Sequence, residues 1–191
     1  MNKLIVITGL DGTGTSSVGA ALAERRGAIL IHTPAEPFRT LRKDVDLAPR
    51  DESPAAHYFF YLASLVHADA TLIRPGLKQS DVVCVRHLVD TVVSHRVAGL
   101  NVEVDYNTGV YELYPPDYIF FLTADEDIRR KRISERGRYD HLDRALDDSP
   151  LRQRFLEEFG RLSYMMTTVD TSVSGISEVV SSIVRIMELS N

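Results

Sequence analysis

The sequence predicts an α/β fold in which a five-stranded parallel sheet is covered by helices. Short apolar runs alternate along the chain with longer stretches of helical periodicity, and this order is typical of a parallel sheet packed against helices. A glycine-rich segment at residues 9–17 directly follows the first apolar run and opens the first helical stretch. The 191 residues suit a single domain with a sizeable core, so we expect one domain over 1–191.

The individual elements follow from the same alternation. The predicted strands are residues 4–8, 28–32, 82–85, 118–122 and, more weakly, 168–170. The predicted helices are residues 16–26, 54–78, 89–100, 125–136, 150–167 and 176–189. Asp125 is expected to be an N-cap, because an acidic side chain there favours the start of a helix. Two segments, 101–116 and 137–149, fit neither period and have the character of lid or binding loops.

Composition and charge exclude several classes of protein. The net charge of −5 argues against a broad nucleic-acid-binding face, although it leaves room for a local basic pocket. No apolar run approaches the roughly 20 residues needed to span a bilayer, and the first apolar run is shorter than a secretory signal, so we expect a cytoplasmic protein. Cys84 is the single cysteine and lies in an apolar run, where it is expected to be a small buried hydrophobe.

The glycine-rich segment resembles a phosphate-binding loop. It matches the pattern G-x-x-x-x-G-K-[ST] at every position except the lysine, where Thr15 stands. Glycines allow backbone N–H groups to converge on an anion, and the helix N-terminus adds its dipole. We therefore expect ATP phosphates at Gly9, Asp11, Gly12, Thr13, Gly14, Thr15, Ser16 and Ser17, with the Ser16 hydroxyl on Mg²⁺. The alternative is a glycine-rich turn that joins a strand to a helix.

The missing lysine bears directly on catalysis. In phosphoryl transfer that lysine neutralises charge on the transferred group. Thr15 offers only a neutral hydrogen bond. Either another cation takes over this role, or the reaction is slow or absent.

Several motifs, in the same order along nearly the whole chain, resemble those of the thymidylate kinase family. They are the loop at 9–17, T-P-A-E-P at 33–37, Y-F-F-Y-L-A at 58–63, V-R-H at 85–87 (the family has D-R-[YH]) and P-D-Y-I-F-F-L at 116–122. The resemblance implies a P-loop NTPase fold with helices on both faces of the sheet and an arginine-bearing lid at about 132–149. It also implies transfer of the ATP γ-phosphoryl group, with Mg²⁺, to a nucleoside monophosphate, and commonly a homodimer.

The resemblance also assigns roles to particular side chains. It implies that Asp11 contacts the acceptor sugar, Tyr61 stacks on the acceptor base and Arg86 holds the acceptor phosphate. Arg86 also ends a buried strand, where ligand sites of parallel sheets lie; the alternative is a structural salt bridge to Asp90 or Asp117. The lid arginines are expected to be Arg132, Arg136 and Arg138, of which the first two share a helix face.

The departures from the family pattern fall mainly on the acceptor side. Val85 replaces the aspartate of D-R-[YH], Leu65 stands where an arginine reads the pyrimidine, and Ser94-His95 replace a Tyr-Gln pair. Asp90 is either a substitute carboxylate or an exposed acid at a helix N-terminus. His87 and His95 are expected to line the pocket or lie at the surface rather than act as bases, and His95 joins the predicted acceptor site.

Three functions remain open from the sequence. The first is a phosphotransferase that moves the γ-phosphoryl group of ATP, with Mg²⁺, to a nucleoside monophosphate or a similar phosphorylated acceptor, with dTMP expected to be a poor one. The second is a nucleotide-binding protein with little or no kinase activity, which the loss of charge at Thr15 and Val85 favours. The third is a kinase of a non-nucleotide phosphorylated acceptor, which Leu65 and Ser94 permit.

Overall fold

The strands form one five-stranded parallel sheet. The structure, a computed structural model, describes residues 1–46, 52–137 and 149–189. The strands are β1 (Leu4–Gly9), β2 (Ile29–His32), β3 (Val82–Val85), β4 (Tyr118–Thr123) and β5 (Thr167–Asp170), in the order β2-β3-β1-β4-β5. The predicted fold class is confirmed, and every predicted strand ends within one residue of the observed one.

The helices surround this sheet. They are α1 (Thr15–Arg26), α2 (Phe38–Val45), α3 (Pro54–Ala68), α4 (Arg74–Leu77), α5 (Leu88–Val97), α6 (Glu126–Glu135), α7 (Ser149–Arg161) and α8 (Ile176–Leu189). A π-helical turn, Asp69–Ile73, joins α3 to α4, and a 3-10 turn, Ser163–Met165, follows α7. No helix in the described parts of the chain is both long and apolar enough to cross a membrane.

Three predicted helices need correction, of which the one predicted over residues 89–100 ends at Val97, and one helix was not predicted. The stretch 54–78 is not one regular helix, because Pro75 has no N–H to donate and the ladder widens into the π-helical turn before it. The helix predicted over residues 150–167 ends at Arg161. Thr167 pairs with β4 instead and is the first residue of β5. Helix α2 was not predicted at all. Asp125 is the N-cap residue of α6 as predicted, although its side chain makes no capping hydrogen bond.

Side chains alternate between the two faces of the sheet and form a core on each. On one face, Val6, Cys84 and Phe121 pack with buried residues of α5 and α7. On the other face, Ile7 and Phe120 pack with α1 and α8. Cys84 is fully buried, as predicted, and burial raises the pKa of its thiol. These two cores fix the carboxyl ends of the strands, where the candidate site lies.

Candidate active site

The loop after β1 has the backbone of a phosphate-binding loop. Gly12 and Gly14 have φ angles of 86° and 94°, which L-residues with a side chain rarely adopt. A Cβ on Gly12 would also lie 2.7 Å from Cγ of Arg129. Gly14 is the N-cap of α1 and makes no side-chain cap, so the first-turn N–H groups have no partner within the helix. The loop therefore presents N–H donors and a helix dipole to an anion.

The side chains of the loop divide into buried and exposed groups. Thr13 is buried, and its hydroxyl donates to the carbonyl oxygen of Leu10 at 2.7 Å. Thr15, at the lysine position, is only 8% exposed, whereas Ser16 and Ser17 are exposed. A hydroxyl on Ser16 is therefore accessible to a ligand, and Thr15 brings no charge to the surface of the loop.

Helix α6 supports the loop from below with two arginines. Arg129 is 1% exposed, and its guanidinium donates to the backbone carbonyl of Asp11 at 3.1 Å. Arg132 donates to both oxygens of Thr171, at 2.9 and 2.6 Å, and lies 3.5 Å from the Gly12 carbonyl. Partial burial would raise the pKa of Glu126, but hydrogen bonds from Arg129 and Arg130 outweigh this and lower it to about 2. Two arginine side chains thus lie against the backbone of a loop that lacks its lysine.

Arg86 lies between two carboxylates at the end of β3. Its guanidinium donates to Asp11 Oδ1 at 2.6 Å and to Asp90 Oδ1 at 3.1 Å. The alternative of a salt bridge to Asp90 is therefore observed, whereas Asp117 pairs with Lys3. Within the described part of the chain, these two contacts use two of the five guanidinium N–H groups. Three N–H groups therefore remain for a ligand. Burial would lower the pKa of Arg86, but the two carboxylates outweigh this effect and raise the pKa above its ordinary value.

Arg86 also has a strained backbone. It is the one non-glycine residue with positive φ, 67°, among the described residues. Its backbone N–H donates to the Ile7 carbonyl at 2.9 Å, and its carbonyl accepts from the Thr33 hydroxyl at 2.9 Å. Backbone strain of this kind is concentrated at functional sites, where the surrounding structure holds it in place. With this backbone, the guanidinium reaches Asp11 in the loop after β1.

Asp90 is not an exposed helix acid, so that alternative is wrong. Its side chain is 10% exposed, and it accepts from the Thr8 hydroxyl at 2.6 Å and from the His87 N–H at 2.9 Å, as well as from Arg86. Burial raises the pKa of Asp90, and these three donors oppose the rise. Asp90 thus places a carboxylate beside the end of β3, where Val85 lacks one.

A cavity of about 440 Å³ adjoins Arg86 and its two carboxylate partners, Asp11 and Asp90. Residues from the loop, α2, α3, α5 and α7 line it, among them Asp11, Arg42, Lys43, Asp46, His57, Tyr61, Leu65, Arg86, Asp90, Ser94 and His95. All four residues predicted for acceptor binding besides Asp11, namely Tyr61, Arg86, Asp90 and His95, thus meet at one cavity. Arg42 and Lys43 come from the unpredicted helix α2, and they bring two further cations to the cavity wall.

His87 and His95, two of the three histidines that line the cavity, are buried rather than surface residues. His87 is 1% exposed, and neither of its ring nitrogens has a hydrogen-bond partner among the described residues. Burial lowers the pKa of His87 to about 4, so its ring is neutral at physiological pH. His95 is 2% exposed and hydrogen-bonds to Thr91 and His57.

Two of the remaining predicted site residues, Arg132 and Arg136, lie in or next to α6. Arg132 contacts Thr171 and the loop, as described above, and Arg136 is an exposed residue at the C-terminal end of α6. Arg138 and most of the predicted lid lie outside the described residues. The roles of these arginines toward a phosphate therefore stay predictions.

Comparison with known proteins identifies the family. A sequence profile of the thymidylate kinase family matches residues 7–183. The chain belongs to the thymidylate kinase family. It is 32% identical over 153 residues to a thymidylate kinase from Leifsonia xyli subsp. xyli, covering 73% of this chain and 72% of the relative. A probable thymidylate kinase from Methanocaldococcus jannaschii is 24% identical over 185 residues, covering 96% of this chain and 94% of the relative.

Solved structures agree on the fold. The thymidylate kinase from Candida albicans superimposes with a TM-score of 0.73 at 18% identity, over 99% of this chain and 92% of its own. That from Ehrlichia chaffeensis gives a TM-score of 0.67 at 16% identity, over 97% and 98%. The resemblance stated from the motifs is thus confirmed for the family and the P-loop fold. Membership implies phosphoryl transfer to a nucleoside monophosphate, and the question left for this chain is its acceptor and its rate.

Sequence reasoning missed four groups of this site. Arg42 and Lys43 were not predicted as site residues because α2 was not predicted. Asp46 and His57 were not predicted because their contacts join distant segments. Arg129 had a readable signal, since it lies four residues before Ile133 and shares its buried face. Thr171 had none, because a threonine after a weak strand is common at the surface.

Proposed function

We propose that this protein transfers the γ-phosphoryl group of ATP, with Mg²⁺, to a nucleoside monophosphate or a similar phosphorylated acceptor. One observation carries the proposal: Arg86 Nη2 lies 2.6 Å from Asp11 Oδ1. That contact joins the phosphate loop to the arginine at the cavity wall. A donor phosphate on the loop and an acceptor phosphate on Arg86 would therefore be neighbours, as direct transfer between them requires.

The residues of the chain divide the work between binding and charge neutralisation. Backbone N–H groups at Gly12, Gly14 and Ser16 would cradle the donor phosphates. The free N–H groups of Arg86 would bind the acceptor phosphate, with Arg42 and Lys43 adding positive charge from α2. Such reactions need mainly positioning and electrostatic stabilisation, since the protein does little covalent chemistry. Arg132 and Arg136 would supply the charge that Thr15 lacks.

The donor set of this site fits Mg²⁺. Mg²⁺ binds oxygen ligands and is commonly held by one or two carboxylates together with substrate phosphates. The exposed hydroxyl of Ser16 and the carboxylates of Asp11 and Asp90 are oxygens of this kind. When bound, Mg²⁺ would neutralise negative charge on the donor phosphates.

The acceptor pocket is proposed to disfavour dTMP. Leu65 is 1% exposed and lines the cavity with an apolar side chain where the family has a base-reading arginine. Tyr61 donates its hydroxyl to Asp46 at 2.7 Å, and both ring nitrogens of His95 are hydrogen-bonded. A nucleotide binds more weakly when its base gives up hydrogen bonds to water and finds no partners in the pocket. Ser94 stays available for another base or for a non-nucleotide group, which keeps the non-nucleotide acceptor as a variant of this proposal.

A nucleotide-binding protein without turnover is the second candidate. The observation that favours it is that Thr15 is buried and uncharged where transfer normally uses a lysine. In that case ADP or ATP binds the loop, but no acceptor receives phosphate. The two candidates therefore differ in product formation and agree in nucleotide binding.

Association and location complete the proposal. We expect a homodimer through α3 and the turn after it, where Phe59 is 63% and Leu72 is 40% exposed. Large apolar side chains on one helical stretch suit burial against a second copy. A cytoplasmic location, without nucleic-acid or membrane partners, is expected for an enzyme that uses ATP and a small phosphorylated acceptor.

The proposal is tested by ADP release across a panel of acceptors. The wild type is incubated with ATP, Mg²⁺ and each common ribo- and deoxyribonucleoside monophosphate, and ADP is measured with and without the acceptor. Acceptor-dependent release supports transfer. Arg86→Ala should abolish it, whereas the control Arg26→Ala should not, because Arg26 is similarly exposed and paired but lies outside the cavity. ADP binding without acceptor-dependent release in any reaction would favour the second candidate.

A further inference from the structure

A hydrogen-bonded chain of four residues runs along one wall of the cavity. His95 Nδ1 lies 2.6 Å from the carbonyl oxygen of Thr91, and His95 Nε2 lies 2.8 Å from His57 Nδ1. His57 Nε2 in turn lies 3.1 Å from Asp46 Oδ1, which also accepts from the Tyr61 hydroxyl. The chain joins three helices that line the cavity, because Asp46 caps α2, His57 lies on α3 and His95 lies on α5.

The number of protons in this chain follows from its geometry. A carbonyl oxygen and a carboxylate can only accept, so the contacts to Thr91 and Asp46 each need a proton on a ring nitrogen. The contact between the two rings needs a third. Two neutral imidazoles carry one N–H each, so three simultaneous hydrogen bonds require one proton more than a neutral pair holds. All three hydrogen bonds can form at once only if His57 and His95 share one positive charge opposite the Asp46 carboxylate.

Burial makes this shared proton consequential. His57 is 6% and His95 is 2% exposed, so their charge is removed from water and needs a partner. Asp46 supplies it. Burial would raise the pKa of Asp46, but hydrogen bonds from His57 and Tyr61 and the charge of Arg42 outweigh this and lower it. Loss of the proton would leave a lone pair of His57 Nε2 facing the Asp46 oxygen.

Helix α2 depends on such polar contacts. None of its residues, all of which the structure describes, is fully buried, so little apolar packing fixes it. It nevertheless brings Arg42 and Lys43 to the cavity. The Asp46–His57 bond ties its C-terminal end to α3, and Phe38 packs against Phe60 at its other end.

We propose that Asp46, His57 and His95 are positioning residues that share one proton and so hold Arg42 and Lys43 of α2 at the acceptor side of the cavity. The statement about the acceptor rests on the proposed function, whereas the shared proton and the placement of α2 do not. Acceptor binding is then strongest while the histidine pair is protonated. It weakens as the pH rises and the pair loses its proton.

Other titratable and charged groups surround the chain. They are Arg42 and Lys43 on α2, Tyr58 and Tyr61 on α3, Asp11 in the loop, and Arg86, His87 and Asp90 at the start of α5. His87 is neutral above about pH 4, so it does not titrate with the pair. Asp90 has a raised pKa, which makes a variant of Asp46 the necessary discriminator.

The direct test is an NMR titration of the histidine ring nitrogens together with hydrogen exchange of the α2 amides. The pair should gain one proton as a unit, with His95 Nδ1 protonated throughout. Asp46→Asn should lower the midpoint by about 1–3 pH units, because an opposite charge at hydrogen-bond distance is removed. Exchange in residues 38–45 should rise by about tenfold or more above the midpoint, after correction for intrinsic exchange. The control Asp44→Asn, an exposed acid on the same helix, should change neither.

Independent neutral rings across pH 6–8, or an unchanged midpoint in Asp46→Asn, would overturn the proposal. Calorimetry with dTMP and UMP adds the functional arm. Affinity for these probes should fall above the midpoint, and at lower pH in Asp46→Asn, whereas ADP affinity stays constant. pH-independent binding of the probes would refute the link to the acceptor. If neither probe binds at any pH while the titration and exchange behave as described, the acceptor assignment fails and the positioning of α2 stands.

Discussion

Replacement of His87 by phenylalanine should stabilise the protein. The ring is 1% exposed and stacks with Tyr106 at a centroid distance of 6.1 Å, and in the part of the chain that the structure describes both ring nitrogens lack hydrogen-bond partners. A buried polar group without a partner costs roughly 1–3 kcal/mol, which phenylalanine of similar shape avoids. At pH 7 we therefore expect His87→Phe to raise the free energy of unfolding by about 1–3 kcal/mol, reduced by whatever strain the larger ring introduces.

The pH dependence gives this prediction a second magnitude. Folding holds the His87 ring neutral down to about pH 4, whereas its ordinary pKa is 6.5. Between these values the unfolded state binds more protons than the folded state, so stability falls as the pH falls. At 1.36 kcal/mol for each pH unit, the wild type loses roughly 3 kcal/mol through this residue, and His87→Phe should not.

Urea unfolding at pH 7.0, 5.5 and 4.5 measures both effects. The wild type, measured at the same three pH values, is the reference. Parallel acid slopes for wild type and His87→Phe would refute the claim that His87 is an unpartnered neutral ring. A lower stability of His87→Phe at pH 7 would mean that the ring nitrogens have partners in solution.

Three further predictions concern the proposed site. Gly14→Val should lower ADP affinity by more than about tenfold in calorimetry, because the loop needs φ of 94° and a non-glycine residue there is strained by about 1–3 kcal/mol; unchanged affinity would mean that the loop is not the donor site. Arg86→Ala should weaken acceptor binding by about 1.5–3 kcal/mol and leave ADP binding unchanged, and equal effects on both ligands would reject the assignment. Steady-state kinetics should give dTMP a kcat/KM below about 10⁵ M⁻¹s⁻¹, and a higher value would show that Leu65 does not disfavour thymine.

The sheet was predictable from the sequence because its signals are local. Buried strands such as Val82–Val85 consist of consecutive apolar residues, and the phosphate loop must join a strand to a helix at the sheet edge. The position of Arg86 followed from the same rule about strand ends. Pairing in a parallel sheet then brings the ends of β1 and β3 together without further information.

Helix α2 and the acceptor wall lack such signals. Residues 38–45 carry Phe38, Leu41 and Val45 at helical spacing, but the stretch is only eight residues long and buries no side chain fully, so the pattern was too short to indicate a helix. The contact of Asp46 with His57 joins α2 to α3, and that of His57 with His95 spans 38 positions. Such contacts depend on how helices pack and not on spacing within one element. The fifth strand was weak for a related reason, since Val169 is its one buried residue.

Transfer of labelled phosphate tests the central claim most directly. The protein is incubated with Mg²⁺, ATP labelled in the γ-phosphoryl group and a panel of nucleoside monophosphates, and the products are separated by chromatography. We expect label in a nucleoside diphosphate with the wild type, none with Arg86→Ala, and normal transfer with Arg26→Ala. Arg136→Ala should slow transfer, and Thr15→Lys should restore much of that loss, because both side chains supply the same missing charge. The account is contradicted if neither the wild type nor Thr15→Lys labels any acceptor while both bind ADP.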